Sequence, residues 1–217
     1  MNKDIVLFDM DGTLTEARQP FASFLSSPLW SLASVADIGI VTGSDMDYVK
    51  EQMHMPMTAH SIRYCLHILP CNGTKWYVPP ETPSESHSLV HEVEMELEIG
   101  KEKYRKLMEI LLEEQVIVSD FDIPLTGNFI SPRGSMINWC PIGRKANNKQ
   151  RNYFKKFNKK VKLRNQSFMR LRLKLDSANM QDVTIKLGGD TSFDIYPRGW
   201  DKTYALRHFS GRNVWFV

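Results

Sequence analysis

Four consecutive apolar residues, Ile5-Val6-Leu7-Phe8, give way abruptly to Asp9-Met10-Asp11-Gly12-Thr13. A run that is apolar at every position, rather than at alternate ones, predicts a strand buried on both faces. Ile38-Gly39-Ile40-Val41 repeats the pattern and ends at Thr42-Gly43-Ser44-Asp45. Leu66 to Leu69 repeats it again ahead of Asn72-Gly73-Thr74. After the second run, Ser44 is expected to cap a helix whose apolar positions Met46, Val49 and Met53 recur at helical spacing. Strands alternating with helices, each strand ending in a polar turn that contains glycine, predict a parallel α/β sheet. Such sheets bind ligands at the carboxyl ends of their strands.

The stretch Val78-Pro79-Pro80-Glu81-Thr82-Pro83 interrupts this alternation and predicts a domain boundary. Beyond it, residues 101–115 predict an amphipathic helix with Tyr104, Leu107, Met108, Leu111 and Leu112 on one face. Short β-like runs follow at 128–131, 135–140, 183–187 and 192–196, with a basic helix covering at least 146–158 between them. Residues 168–175 read either way, because Leu171, Leu173 and Leu175 alternate as in a strand. Residues 213–217 predict a strand that returns to the core. The expected architecture is therefore a parallel-sheet core over 1–80 and 198–217, with an α+β domain inserted over 81–197. His87 and His91, four apart and without a third ligand, read as a solvated helical pair.

A chain of 217 residues, 42% hydrophobic and 24% charged, has the composition of an ordinary globular protein, which excludes disordered and fibrous classes. No apolar run approaches the roughly 18 residues of a membrane span. The opening Met1-Asn2-Lys3-Asp4 meets Asp9 and Asp11 too early for a signal peptide. Cys65, Cys71 and Cys140, an odd count without paired spacing, predict free thiols and a reducing, cytoplasmic setting. The net charge of +3 hides an asymmetry: 13 of the 28 Lys and Arg fall between Arg144 and Lys174, where no Asp or Glu occurs. A solvated helix face is the first reading of this segment, an anionic small ligand the second, and nucleic acid the least favoured. Phe154 and Phe157, interleaved with its lysines, read as core.

Asp9 and Asp11, two carboxylates at i and i+2 after a buried strand, are the most informative pair in the chain. One can attack a phosphorus as a covalent nucleophile while the other serves the leaving oxygen. Together they can hold Mg²⁺ through oxygen atoms. The segment Phe8-Asp9-Met10-Asp11-Gly12-Thr13-Leu14-Thr15, with Thr42 or Ser44 after the second strand and Lys202 far downstream, resembles the haloacid dehalogenase (HAD) superfamily. Gly43-Ser44-Asp45, Arg133-Gly134-Ser135-Met136-Ile137-Asn138 and Pro141-Ile142-Gly143-Arg144 narrow the resemblance to the eukaryotic-type phosphomannomutases. Gly188-Gly189-Asp190-Thr191-Ser192-Phe193-Asp194 and Gly199-Trp200-Asp201-Lys202 complete the set in order.

This resemblance implies a HAD-like, Rossmann-like core with an inserted α+β cap. It implies an isomerase that interconverts hexose (mannose) 6-phosphate and 1-phosphate through an aspartyl-phosphate, in GDP-mannose biosynthesis. Asp9 would be the nucleophile, Asp11 the general acid/base, and Lys202 the cation beside Asp9. Mg²⁺ would be the cofactor, with Asp9 and Asp11 as its ligands. Thr42 or Ser44 would bind the transferring phosphoryl group. Arg18, Arg133, Asn138, Arg144, Arg151, Ser192 and Asp194 would contact the sugar phosphate. Partners would be hexose phosphate, hexose 1,6-bisphosphate and a second copy of the chain, joined through the cap, with no membrane. A sugar phosphatase and an impaired sugar-phosphate-binding protein are the alternatives. The family's fourth motif, a Gly-Asp after the last core strand, has no counterpart before Val217. A C-terminally incomplete core and little or no mutase activity in a chain of this length are the corresponding expectations. Arg198 stands where the family usually has an acidic residue.

Overall fold

The computed structural model describes residues 3–16 and 19–217, which form two compact units, Met1–Glu92 with Gly199–Val217, and Val93–Arg198. The crossover thus lies at 92/93 rather than at 80/81. The Pro-rich stretch does not leave the first unit: it connects β4 (Lys75–Val78) to β5 (Ser88–Glu92), which pair antiparallel in the same sheet. Lys75 also forms an ion pair with Glu92 across those strands.

The sheet of the first unit has the order β10-β1-β2-β3-β4-β5. Its parallel part consists of β1 (Ile5–Asp9), β2 (Asp37–Val41), β3 (Leu66–Leu69) and the returning β10 (Val214–Phe216). The apolar runs of β2 and β3 are buried on both faces, whereas β1 alternates fully buried Ile5 and Leu7 with half-buried Val6 and Phe8. Ile38, Ile40, Leu66 and Ile68 pack in one cluster with Leu29 and Ala33 of α1 (Ser26–Ala33) and Val49 of α2 (Met46–Gln52). Ile5, Leu7, Val41 and Leu69 pack in another with Ala205 and Phe209 of a 3-10 helix, Lys202–Phe209. A short α3 (His54–Thr58) follows α2.

The expected caps and helical histidines differ in the structure. Asp45, not Ser44, caps α2, its carboxylate accepting the Tyr48 N–H at 3.0 Å. His91 lies in β5, so four-residue spacing does not place it and His87 on a helix face. The His87 ring nitrogen reaches the Leu66 carbonyl at 3.0 Å, and the His91 ring nitrogen lies 3.2 Å from the Tyr204 hydroxyl.

Buried His67 accepts the Trp76 indole N–H at 3.1 Å and meets Phe209 edge-on. Burial pushes its imidazole down to about 4, against a smaller upward pull from Asp37. The native state therefore keeps His67 neutral in a range where the unfolded chain protonates it. The unfolded state binds more protons from about pH 6.5 down to pH 4, so stability falls as pH falls through that window. The full shift corresponds to about 3 kcal/mol. The stability difference between the wild type and His67→Phe, followed by urea unfolding, should shrink progressively from pH 6.5 to pH 4. A pH-independent difference would contradict this account.

The second unit carries an antiparallel sheet of order β6-β7-β9-β8, built from β6 (Ile130–Pro132), β7 (Ile137–Trp139), β8 (Val183–Gly188) and β9 (Ser192–Pro197). The helices are α4 (Met95–Ile99), α5 (Lys101–Ser119), α6 (Asn148–Val161) and α7 (Leu163–Ser177). A capping box between Asn147 and Gln150 starts α6, and Lys162 in the left-handed region separates it from α7. The ambiguous segment at 168–175 is helical: Leu171 and Leu175, four apart, are buried, whereas Leu173 is exposed. On α5 the buried stripe is Leu107, Ile110, Leu111, Glu114 and Val118, while Leu112 faces outward. Phe154 is fully buried and Phe157 packs against the same core.

Candidate active site

Parallel register brings the carboxyl ends of β1, β2 and β3 side by side, with Asp9 opposite Val41 and Val41 opposite Leu69. Beyond Asp9 the chain folds into a tight loop. The Met10 carbonyl accepts the N–H groups of Leu14 and Thr15, and the Gly12 N–H donates to the Thr15 carbonyl at 2.7 Å. Fully buried Met10 anchors this loop, so Asp9 and Asp11 stand on a fixed backbone. Asp9 Oδ1 accepts the Met10 N–H at 2.7 Å and pairs with Lys202 Nζ at 2.5 Å. The Tyr48 hydroxyl, from the first turn of α2, donates to Asp11 Oδ1 at 3.1 Å.

At the end of β2, Thr42 is buried and its Oγ1 accepts the Ser44 N–H at 3.1 Å. Its carbonyl accepts the Asn72 N–H at 2.7 Å, and the Ser44 carbonyl accepts the Cys71 N–H at 2.9 Å. Asn72 in turn donates through Nδ2 to the Trp200 carbonyl at 3.1 Å. The polar break after β3 is thus the support for the segment that carries Lys202. Gly73, at φ +84, packs directly on that segment's helix, and a Cβ there would lie 2.7 Å from Ala205 Cα. Asp201 begins the helix by accepting the Thr203 N–H and hydroxyl, at 3.0 and 2.6 Å. The sequence reading missed Tyr48, Asn72 and Gly73 as supports. Only Asn72-Gly73 carried a local signal, as a polar turn closing a strand.

In the second unit, Asn138 on β7 stands opposite Asp194 on β9. Asn138 Nδ2 donates to Asp194 Oδ1 at 2.7 Å, and Arg144 Nη1 donates to Asn138 Oδ1 at 3.3 Å. Asp194 sits against Gly188, where a Cβ would come within 2.5 Å of its Oδ2, so glycine is what admits the carboxylate. Burial pushes the Asp194 carboxyl up, while Asn138 and then Arg133, Arg144 and Arg164 pull it down. Ser192 donates its hydroxyl to the Gly188 carbonyl at 2.8 Å. Arg133 is buried, on the connection between β6 and β7. Arg151 donates through Nε to the Ala146 carbonyl, through Nη2 to the Arg144 carbonyl and through Nη1 to Thr191 Oγ1, at 2.8, 3.0 and 2.8 Å.

The structure therefore brings Asp9, Asp11 and Lys202 together with the Thr42–Ser44 turn in one unit. It brings Asn138, Arg144 and Asp194 together in the other, with Ser192 and Arg151 holding the adjacent hairpin. Arg18 lies outside the described residues. No group of three or more His, Cys, Asp or Glu side chains placed to hold a metal occurs among the described residues. No described helix is long and apolar enough to cross a membrane.

The family pattern described as eukaryotic phosphomannomutase matches residues 25–216. The chain is 36% identical over 209 residues to a phosphomannomutase of Schizosaccharomyces pombe, covering 95% of this chain and 75% of that protein. It is 35% identical over 213 residues to one of Encephalitozoon cuniculi, covering 98% and 77%. Among solved structures, an IMP-nucleotidase of Plasmodium falciparum superposes with a TM-score of 0.68 at 15% identity, over 94% of this chain and 55% of that one. The C-terminal domain of a C. albicans trehalose-6-phosphate phosphatase superposes with a TM-score of 0.56 at 16% identity, over 95% and 61%. These two likenesses are of fold alone, and the chain spans less than two thirds of each of those structures. With a family match over most of its length and relatives above 30% identity, the chain belongs to the eukaryotic phosphomannomutase family.

Proposed function

We propose that this chain moves a phosphoryl group between the 1- and 6-positions of a hexose, mannose, by way of a phosphate carried on Asp9. The observation that supports this most is the Asp9–Lys202 pair at the carboxyl end of a parallel sheet, with Asp11 two residues away. Asp9, already phosphorylated by a hexose 1,6-bisphosphate, gives its phosphoryl group to the free hydroxyl of the hexose monophosphate as Asp11 removes that hydroxyl's proton. The product is a hexose 1,6-bisphosphate, which turns round. In the second step an Asp9 oxygen attacks the phosphorus at the other position, the phosphorus–sugar oxygen bond breaks, and Asp11 returns the proton to the departing oxygen, which regenerates phosphorylated Asp9. The Tyr48 hydroxyl orients Asp11 for both. Lys202 offsets the repulsion between Asp9 and an incoming phosphate, and the half-buried Ser44 stands as the phosphoryl contact, since the Thr42 hydroxyl serves the turn.

Asp9 and Asp11 also suit Mg²⁺, which takes hard oxygen donors and is commonly held by one or two carboxylates, with water and substrate phosphate completing its shell. When bound, the ion would neutralise charge developing on the transferring phosphoryl oxygens. In the second unit, Arg133 and Arg144 grip phosphate as planar, permanently charged forks, while Asn138, Ser192 and Asp194 meet the sugar. Arg151 contributes by fixing Thr191 and the Arg144 backbone. Arg18 completes the proposed substrate contacts. The three cysteines are free thiols, in keeping with a cytoplasmic protein.

A coupled assay with mannose 1-phosphate, with and without a hexose bisphosphate activator, tests the reaction. Mannose 6-phosphate is the expected product, and release of inorganic phosphate alone would make the chain a phosphatase. Arg144→Ala should weaken sugar-phosphate binding by about 1.5–3 kcal/mol, the worth of a charged hydrogen bond. An unchanged dissociation constant by calorimetry would remove Arg144 from the binding set.

The expected dimer finds a surface in Leu112 and Val116 of α5 and Met169 and Leu173 of α7, all exposed on helices that pack together. Exposed pairs four residues apart on neighbouring helices suit a second copy of the same face. Sedimentation should show a dimer that Leu112→Glu dissociates, and a monomeric wild type would end the idea.

A further inference from the structure

We infer that Arg164 is a positioning residue for sugar-phosphate recognition, fixing the turn at 188–192 and, through it, Ser192 and Asp194. The inference rests on the proposed function and adds a residue that makes none of the proposed substrate contacts.

Arg164 lies in the first turn of α7 and is only 7% exposed. Its Nη2 reaches three main-chain carbonyls of one turn: Gly188 at 3.3 Å, Gly189 at 2.9 Å and Ser192 at 2.7 Å. Its guanidinium also lies over the Phe193 ring, 5.6 Å from the centroid. A short β-hairpin closes through its own ladder and needs no buried cation. Burying a guanidinium is unfavourable, and here the hydrogen-bond partners are neutral carbonyls rather than a carboxylate. Burial accordingly pulls the Arg164 pKa down, and Asp190, Cys140 and Asp194 only partly counter it.

Gly188 explains what this arrangement achieves. Its carbonyl receives Arg164 and also the Ser192 hydroxyl, and its bare Cα leaves the space occupied by the Asp194 carboxylate. One residue is therefore the seat of two of the proposed sugar contacts, Ser192 and Asp194, and Arg164 holds that residue. Two further cations grip the same turn from α6: Arg151 through Thr191 Oγ1, and Lys155 through Asp190 at 2.7 Å. Three cations on five residues, one of them paired to the Asp190 carboxylate, describe a turn whose shape is held rather than merely closed.

The test compares Arg164→Lys, Arg164→Gln and Leu171→Ala in the full chain. Leu171→Ala removes a fully buried apolar side chain from the same helix and leaves Arg164 in place. At a temperature where melting curves show each protein folded, calorimetry with mannose 1-phosphate should give a dissociation constant raised about tenfold or more by Arg164→Gln and less by Arg164→Lys. Leu171→Ala should stay within about twofold of wild type. KM should rise by more than kcat falls, and amide hydrogen exchange at 189–193 should quicken in the two Arg164 variants alone. Wild-type affinity in Arg164→Gln, an equal loss in Leu171→Ala, or failure of both Arg164 variants to fold while Leu171→Ala folds would assign Arg164 to stability and overturn the inference. Absence of mannose 1-phosphate binding by the wild type would instead count against the proposed function. The exchange rates at 189–193 would then decide whether Arg164 holds the turn at all.

Discussion

Asp9→Asn should lower phosphoryl transfer by at least about a thousandfold, a loss of roughly 4 kcal/mol of transition-state stabilisation. The amide keeps the shape of the carboxylate and can still accept the Met10 N–H, so the loop after β1 stays closed. It cannot form the acyl phosphate, because the amide oxygen is too weak a nucleophile at phosphorus. It also leaves Lys202 facing a neutral group where the wild type has a 2.5 Å ion pair. Substrate affinity should fall little or even improve, since a neutral side chain repels a phosphate less than a carboxylate does. Single-turnover rates separate the two effects. Transfer within tenfold of wild type would show that another residue carries the phosphate.

Arg170→Met should destabilise the second unit by about 3–5 kcal/mol. Glu114 has 0% exposure, and Arg170 is its counter-charge, with Nε 3.1 Å from both carboxylate oxygens and Nη2 2.6 Å from Oε1. Removing the arginine leaves a carboxylate sealed in an apolar core between α5 and α7, where it must stay charged without a partner or take up a proton. Because that penalty belongs to the orphaned charge rather than to the lost bond, the double variant Glu114→Leu with Arg170→Met should recover most of the stability. Urea unfolding followed at Trp139, which lies in this unit and donates to Gln115 Oε1 at 2.8 Å, reports on it directly. A single variant within 1 kcal/mol of wild type, on the order of one ordinary hydrogen bond, would contradict this reading.

Local composition carried most of the first unit. Runs apolar at every position suit strands in the interior of a sheet, and each ended in the polar turn that now holds Asp9, Thr42–Ser44 or Asn72. What it could not carry was pairing. The prolines after β4 looked like a boundary because proline ends a local pattern, yet the chain turns there and β5 joins the same sheet. Residues 168–175 were ambiguous because a leucine every second position is compatible with both periods. Burial of Leu171 and Leu175 on α5 and the sheet decides for the helix. The carboxylates and Lys202 were legible as motifs, whereas Tyr48 and Arg164 were not. Their roles arise from contacts across 37 residues to Asp11 and across 24 to 28 residues to the hairpin, which no local pattern records.

The central claim is that Asp9 carries the phosphoryl group. Mixing the protein with a hexose 1,6-bisphosphate in magnesium buffer, quenching in acid and mapping phosphate by peptide mass spectrometry tests it most directly. The account predicts a hydroxylamine-labile phosphate on the peptide containing Asp9, formed in the wild type and absent from Asp9→Asn. Phosphate on a different residue, or equal labelling in Asp9→Asn, would contradict it.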